Sequence, residues 1–81
     1  MPKEHKVVVY STEWCPWCTR AKEFFKKSGV KYEDRDVEKN PEYAEEMQNK
    51  SHQTSIPVID IDGQILIGYN EQAFKKLLEL K

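Results

Sequence analysis

Cysteine is scarce in this chain, with two among 81 residues, and glycine (three), proline (four) and histidine (two) are nearly so. Two cysteines exclude a disulfide-stapled scaffold, and so little glycine and proline excludes a collagen-like or low-complexity chain. An excess of one charge is also missing. Thirteen Lys and Arg stand against 14 Asp and Glu, a net charge of -1 with the signs interspersed, which argues against a nucleic-acid surface. No apolar run approaches the ~18 residues of a membrane span, and no apolar segment follows the charges of Met1-Pro2-Lys3-Glu4-His5-Lys6. The expectation is one domain over residues 1–81, cytoplasmic and monomeric, with no nucleic-acid or membrane partner.

What the chain does have is a placement. Its two cysteines form Cys15-Pro16-Trp17-Cys18, directly after the apolar run Val7-Val8-Val9-Tyr10. A strand that delivers a CxxC to the first turn of a helix sets the leading sulfur at the positive end of the helix dipole, where a thiolate is favoured. A disulfide closing so short a loop would restrict the unfolded chain by only about 2 kcal/mol, so the pair is poorly placed as a staple and well placed for reaction. Disulfide exchange needs an attacking thiolate and a thiol to resolve the mixed disulfide. Cys15 is expected to be the exposed nucleophile, and Cys18, one turn further in on the same face, the resolving thiol. The competing use of such a pair is half of a zinc or iron–sulfur site. His5 and His52 are the only histidines and match no common zinc spacing, so no metal is assigned, sharing across a dimer being the residual case.

Hydrophobic periodicity supplies the frame. Val7 to Ser11 reads as a buried strand. Pro16 suits the first helical position, Trp17, Ala21, Phe24 and Phe25 recur at helical spacing, and Gly29 can take the left-handed cap. Loose alternation over residues 30–37 suggests a half-exposed strand toward an edge. Asn40, Pro41 and Glu42 open a second helix with a narrow face of Tyr43, Ala44 and Met47, and Glu42, Glu45 and Glu46 are expected to be solvated. Residues 56–61 and 64–67 read as an antiparallel hairpin about Asp62-Gly63. Asn70 then caps a helix buried through Phe74, Leu77 and Leu78. The order is βαβαββα.

The chain resembles the glutaredoxin family within the thioredoxin fold over nearly all of its length. Three stretches carry the likeness: the CPWC after the first strand, Ser55-Ile56-Pro57 where glutaredoxins have Thr-Val-Pro, and the Gly68 segment before the last helix. It is most similar to the short bacterial and archaeal glutaredoxin-like proteins, some of which are reduced by thioredoxin reductase. The resemblance implies an α/β fold, with a four-stranded mixed sheet flanked by three helices, and a cis Ile56–Pro57 bond facing the cysteines. It implies a thiol–disulfide oxidoreductase of cell redox homeostasis and electron transport, with a redox-active Cys15–Cys18 disulfide, no bound cofactor and disulfide-containing proteins as substrates. In the family the backbone before the proline pairs with the substrate, which points to Ile56 and Pro57.

Around the motif, Trp14 is expected to offer an apolar docking platform, with Trp17 divided between packing and binding, and Pro16 stiffening the loop. A Trp before the first cysteine is more like thioredoxins than glutaredoxins. Glutathione-binding glutaredoxins carry a basic residue three positions before the first cysteine and a Gly-Gly followed by Asp before the last helix. Here Thr12 takes the first position, and Gly68 is followed by Tyr69, Asn70 and Glu71. A lost cation opposite a carboxylate removes about 1.5–3 kcal/mol, roughly ten- to a hundredfold in affinity. Glu13 adds a negative charge nearby. The expected reductant is therefore a thioredoxin reductase-like flavoprotein, with glutathione as the alternative cosubstrate in a glutathione-dependent transferase. A third alternative is a redox sensor or iron–sulfur cluster carrier.

Overall fold

Five consecutive buried residues, Val7–Ser11, form strand β1 inside the sheet, flanked on both sides and covered on both faces. A strand so enclosed needs apolar residues at odd and even positions alike, which is why its sequence does not alternate. The computed structural model describes residues 5–79, in the order β1, α1 (Pro16–Lys27), β2 (Glu33–Asp36), α2 (Pro41–Ser51), β3 (Val58–Ile61), β4 (Gln64–Ile67) and α3 (Glu71–Leu77). The four strands make a mixed sheet of order β2-β1-β3-β4, with β1 parallel to β2 and the other pairs antiparallel. This is the thioredoxin fold expected from the resemblance.

The pleat divides the core. Val7, Val9, Ile59 and Ile61 point to one face and pack with Ala21 and Phe25 of α1 and with Phe74 and Leu78 at α3. Val8, Tyr10 and Val58 point to the other face and meet Met47 of α2. Full burial of Phe25, ringed by Phe24, Tyr32 and Phe74, contributes about 1.5–3 kcal/mol.

Local chemistry sets the element ends. Gly29, at φ 71°, takes the left-handed position after α1, and Val30 N–H donates to Phe25 O across it. Asp62 and Gly63, at φ 53° and 89°, make the hairpin turn, and Asp60 Oδ1 accepts from Gly63 N–H at 2.8 Å.

Three expectations are corrected. The edge strand covers four residues instead of residues 30–37, because Val30 and Tyr32 turn into the core before pairing begins. The third strand starts at Val58, two residues late, after a cis Ile56–Pro57 bond. Glu46 is only partly solvated, unlike Glu42 and Glu45: it accepts from Tyr10 Oη at 2.5 Å and pairs with Arg35. Asn40 does cap α2 by position, but with no side-chain bond. Asp36 Oδ1 instead orders the preceding loop, accepting from Glu38 and Lys39 N–H at 2.8 and 2.9 Å.

Candidate functional site

Strand β1 ends at Ser11, and α1 begins at Pro16, so the cysteine pair straddles the helix start. Cys15 is the N-cap. Its Sγ accepts the Cys18 backbone N–H at 3.2 Å, filling the place that a Ser or Asp oxygen takes in an ordinary cap. Its carbonyl accepts from Thr19 N–H at 3.1 Å and Thr19 Oγ1 at 3.2 Å. Both cysteines are free thiols.

Capping also corrects the expected exposure. Cys15 is buried, 7% exposed, because a sulfur that caps folds back over the first turn. It remains the more open of the two, since Cys18 is wholly buried. Burial, reinforced by its hydrogen bond to Cys15, pushes the Cys18 thiol up to about 12, while the Thr12 backbone and the Lys22 charge pull the other way. The two sulfurs of one motif thus occupy different environments, one at a helix cap and one in the core.

Five residues singled out from sequence come together. Trp17, Ile56, Pro57, Gly68 and Tyr69 line one groove of about 250 Å³, drawn from three separate parts of the chain. Gly68 N–H donates to Pro57 O at 2.8 Å and fixes the β4–α3 turn against the proline loop. Gly68 adopts φ 84°, a conformation that side chains rarely take, which accounts for glycine there. Trp17, 53% exposed, stands 6.0 Å from the Tyr69 ring, and the Arg20 guanidinium lies 5.0 Å from the Trp17 ring centre.

The remaining candidates lie elsewhere. Trp14, 68% exposed, is outside the groove and donates its indole N–H to Glu38. Glu13 beside it is paired with Lys39, so its charge is partly neutralised. Pro16 fills the first helical position. Asn70 is committed to its own helix, with Oδ1 accepting from Ala73 N–H at 3.1 Å. Thr12 is buried, and its hydroxyl has no partner among the described residues.

Sequence reasoning missed Glu38, Lys39 and Lys22. The first two come to the motif only through the sheet pairing that carries the β2–α2 loop beside it. Lys22 was legible, four residues after Cys18 on one helix face.

Comparison with known proteins bears on this geometry. The glutaredoxin family model matches residues 7–66. An uncharacterized glutaredoxin-like 8.6 kDa protein in the rubredoxin operon of Clostridium pasteurianum is 40% identical over 73 residues, covering 90% of this chain and 97% of its own. The thioredoxin-like protein BC3987, solved as a point mutant, superposes with a TM-score of 0.88 at 31% identity, over 93% of this chain and 96% of that one. The glutaredoxin-like NrdH-redoxin from Escherichia coli, whose activity profile is thioredoxin-like, gives a TM-score of 0.79 over 89% of this chain and 93% of its own. At 21% identity it shows the fold alone.

Proposed function

The chain belongs to the glutaredoxin family, whose members are thiol–disulfide oxidoreductases, and on that premise we propose that it reduces protein disulfides with the Cys15–Cys18 dithiol. The observation that carries this reading is the cap: Cys15 Sγ, at the start of α1 and the more open of the two sulfurs, accepts the backbone N–H of Cys18, which brings the pair together on one helical turn. Cys15 attacks one sulfur of the substrate disulfide, and the other sulfur leaves as a thiol. Cys18 then attacks Cys15 Sγ and forms the intramolecular disulfide, and the second substrate sulfur leaves. Two thiol protons of the enzyme end on the two product thiols, and two electrons pass to the substrate.

The groove of Trp17, Ile56, Pro57, Gly68 and Tyr69 supports an extended substrate segment: its rings give apolar contact, while Ile56 supplies main-chain N–H and C=O. Trp14 adds a second apolar platform outside the groove. Thr12 and Asn70 complete the surroundings without facing the groove, and Pro16 holds the loop. No metal or bound cofactor takes part. Among the described residues no helix is long and apolar enough to cross a membrane, and the proposed setting is a cytoplasmic monomer of one domain.

The proposed reductant is a thioredoxin reductase-like flavoprotein. Thr12 is buried where glutathione-binding relatives hold a cation, Lys39 on the neighbouring loop is already paired with Glu13, and the Arg20 guanidinium lies over the Trp17 ring. NrdH-redoxin, with its thioredoxin-like activity profile, is a precedent on the same fold. Oxidised protein supplied with NADPH and thioredoxin reductase should regain both thiols. Restoration only by glutathione with glutathione reductase would reassign the electron source. In Cys18→Ser, reduction of a protein disulfide such as insulin should fall at least about a hundredfold, with the mixed disulfide on Cys15 accumulating. Full activity in that variant would refute the dithiol cycle.

A further inference from the structure

Cys18 presents a problem for any dithiol cycle. It has to attack as a thiolate, yet it is wholly buried and its thiol is held far above neutrality. Something within the fold has to offset that burial at the moment of resolution. Three groups weigh most on Cys18 besides burial itself: the Cys15 sulfur, the Thr12 backbone just after β1, and the Lys22 ammonium on α1. Lys22 lies four residues after Cys18, one helical turn along the same face.

Its ammonium is not left to wander. Lys22 Nζ donates to Asp34 Oδ2 at 3.1 Å, and the other oxygen of that carboxylate, Oδ1, accepts from Ser11 Oγ at 2.6 Å. Ser11 is fully buried in β1, so the chain Ser11–Asp34–Lys22 ties a charge on the helix to the centre of the sheet. The Lys22 side chain is only 21% exposed, so water screens its charge little, although the Asp34 carboxylate beside it offsets part of that charge.

We propose that Lys22 is a positioning residue of the resolving step: one helical turn after Cys18 and anchored through Asp34 to Ser11, it stabilises by its charge the thiolate that attacks Cys15. The inference rests on the dithiol reading and adds a timing to it. While Cys15 is a free thiol or thiolate, its charge and hydrogen bond oppose ionisation of Cys18. Once Cys15 is locked in a mixed disulfide that opposition ends. Burial is then opposed by the Thr12 backbone and the Lys22 charge. Cys18 is thus silent before the first exchange and is activated by it. The proton it loses ends on the departing substrate thiol.

Stopped-flow reaction with dithiodipyridine separates the steps, because this neutral disulfide releases one chromophore when Cys15 attacks and a second when Cys18 resolves. Lys22→Met keeps the aliphatic stem and removes the charge. It should leave the first phase within about twofold, slow the second roughly three- to tenfold at pH 7, and move the second phase's pH midpoint up by about half a unit to one unit. Lys22→Arg should restore the wild-type profile. A second phase unchanged in Lys22→Met, or both phases slowed alike, would overturn the role given to Lys22 while leaving the dithiol cycle in place. A wild-type protein showing no second phase that Cys18→Ser abolishes would overturn both together.

Discussion

The two faces of the sheet are built on different principles. On the α1 and α3 face, Val7, Val9, Ala21, Phe25, Ile59, Ile61, Phe74 and Leu78 form a wholly apolar cluster, with the single polar chain Ser11–Asp34–Lys22 at its margin. On the α2 face, the smaller cluster of Val8, Tyr10, Met47 and Val58 borders a polar network. Tyr10 Oη donates to Glu46 and accepts from Lys50 Nζ at 2.9 Å, and Lys50 also reaches Asp60 Oδ2 at 2.8 Å. Burial works against the Lys50 charge, but the hydrogen bonds to Asp60 and Tyr10 outweigh it and raise its pKa. Packing by volume is strong and insensitive to pH, whereas directional bonds are weaker one by one and depend on protonation. The helix that carries the cysteines docks on the first kind of face.

The largest effect should come from breaking the dry face. Phe25→Ala removes a fully buried ring and should cost about 3–5 kcal/mol in denaturant unfolding, a large share of the stability of so small a chain. Met47→Ala, the matching truncation on the α2 face, should cost about 2–3 kcal/mol, because fewer apolar neighbours surround it. Equal losses would show that the two faces do not differ as described.

A smaller change sharpens the contrast. Tyr10→Phe deletes only the hydroxyl, and Glu46 keeps Arg35 while Lys50 keeps Asp60, so urea titration should show a loss of about 1 kcal/mol. A loss above about 3 kcal/mol would mean that the hydroxyl organises the whole network.

The smallest effect is one of pH. The hydrogen bond from Tyr10, with Arg35 and Lys50 nearby, holds the Glu46 carboxyl below its usual range. A carboxyl with a lowered folded value adds stability above the ordinary glutamate pKa and loses it as the pH falls through the lowered one. Glu46→Gln should therefore flatten the acid limb of the stability curve, by an amount on the order of 0.5–1 kcal/mol between neutrality and about pH 3. Phe25→Leu, on the dry face, should lower the curve without changing its shape.

Legibility in the sequence followed the same division. Volume packing writes itself as periodicity, so β1, Ala21 and Phe25 of α1, and Phe74 and Leu78 at α3 could be read from sequence, while Trp17, read into the same stripe, is exposed and Leu77 is only partly buried. The groove was legible too, through Ser55-Ile56-Pro57 and Gly68, although its assembly from three distant segments came with the family resemblance and not from spacing. The polar face was not. Glu46 sits among Glu42 and Glu45 and looks like one more solvated acid, and nothing local says that a tyrosine on the first strand lies above it. Cys15 was placed correctly at the helix start but given too much exposure, because the dipole argument fixes its position and not the fold of its sulfur over the first turn.

One bond in the groove has a wider consequence. Gly68 N–H meets Pro57 O, so the frame that separates the two walls is held by main-chain atoms. Trp17 projects from that frame into solvent, while Tyr69 also packs edge-on against Phe74 of the core. Replacing the Trp17 ring therefore alters one wall of the groove while the spacing between the walls, set by main-chain atoms, is inherited unchanged.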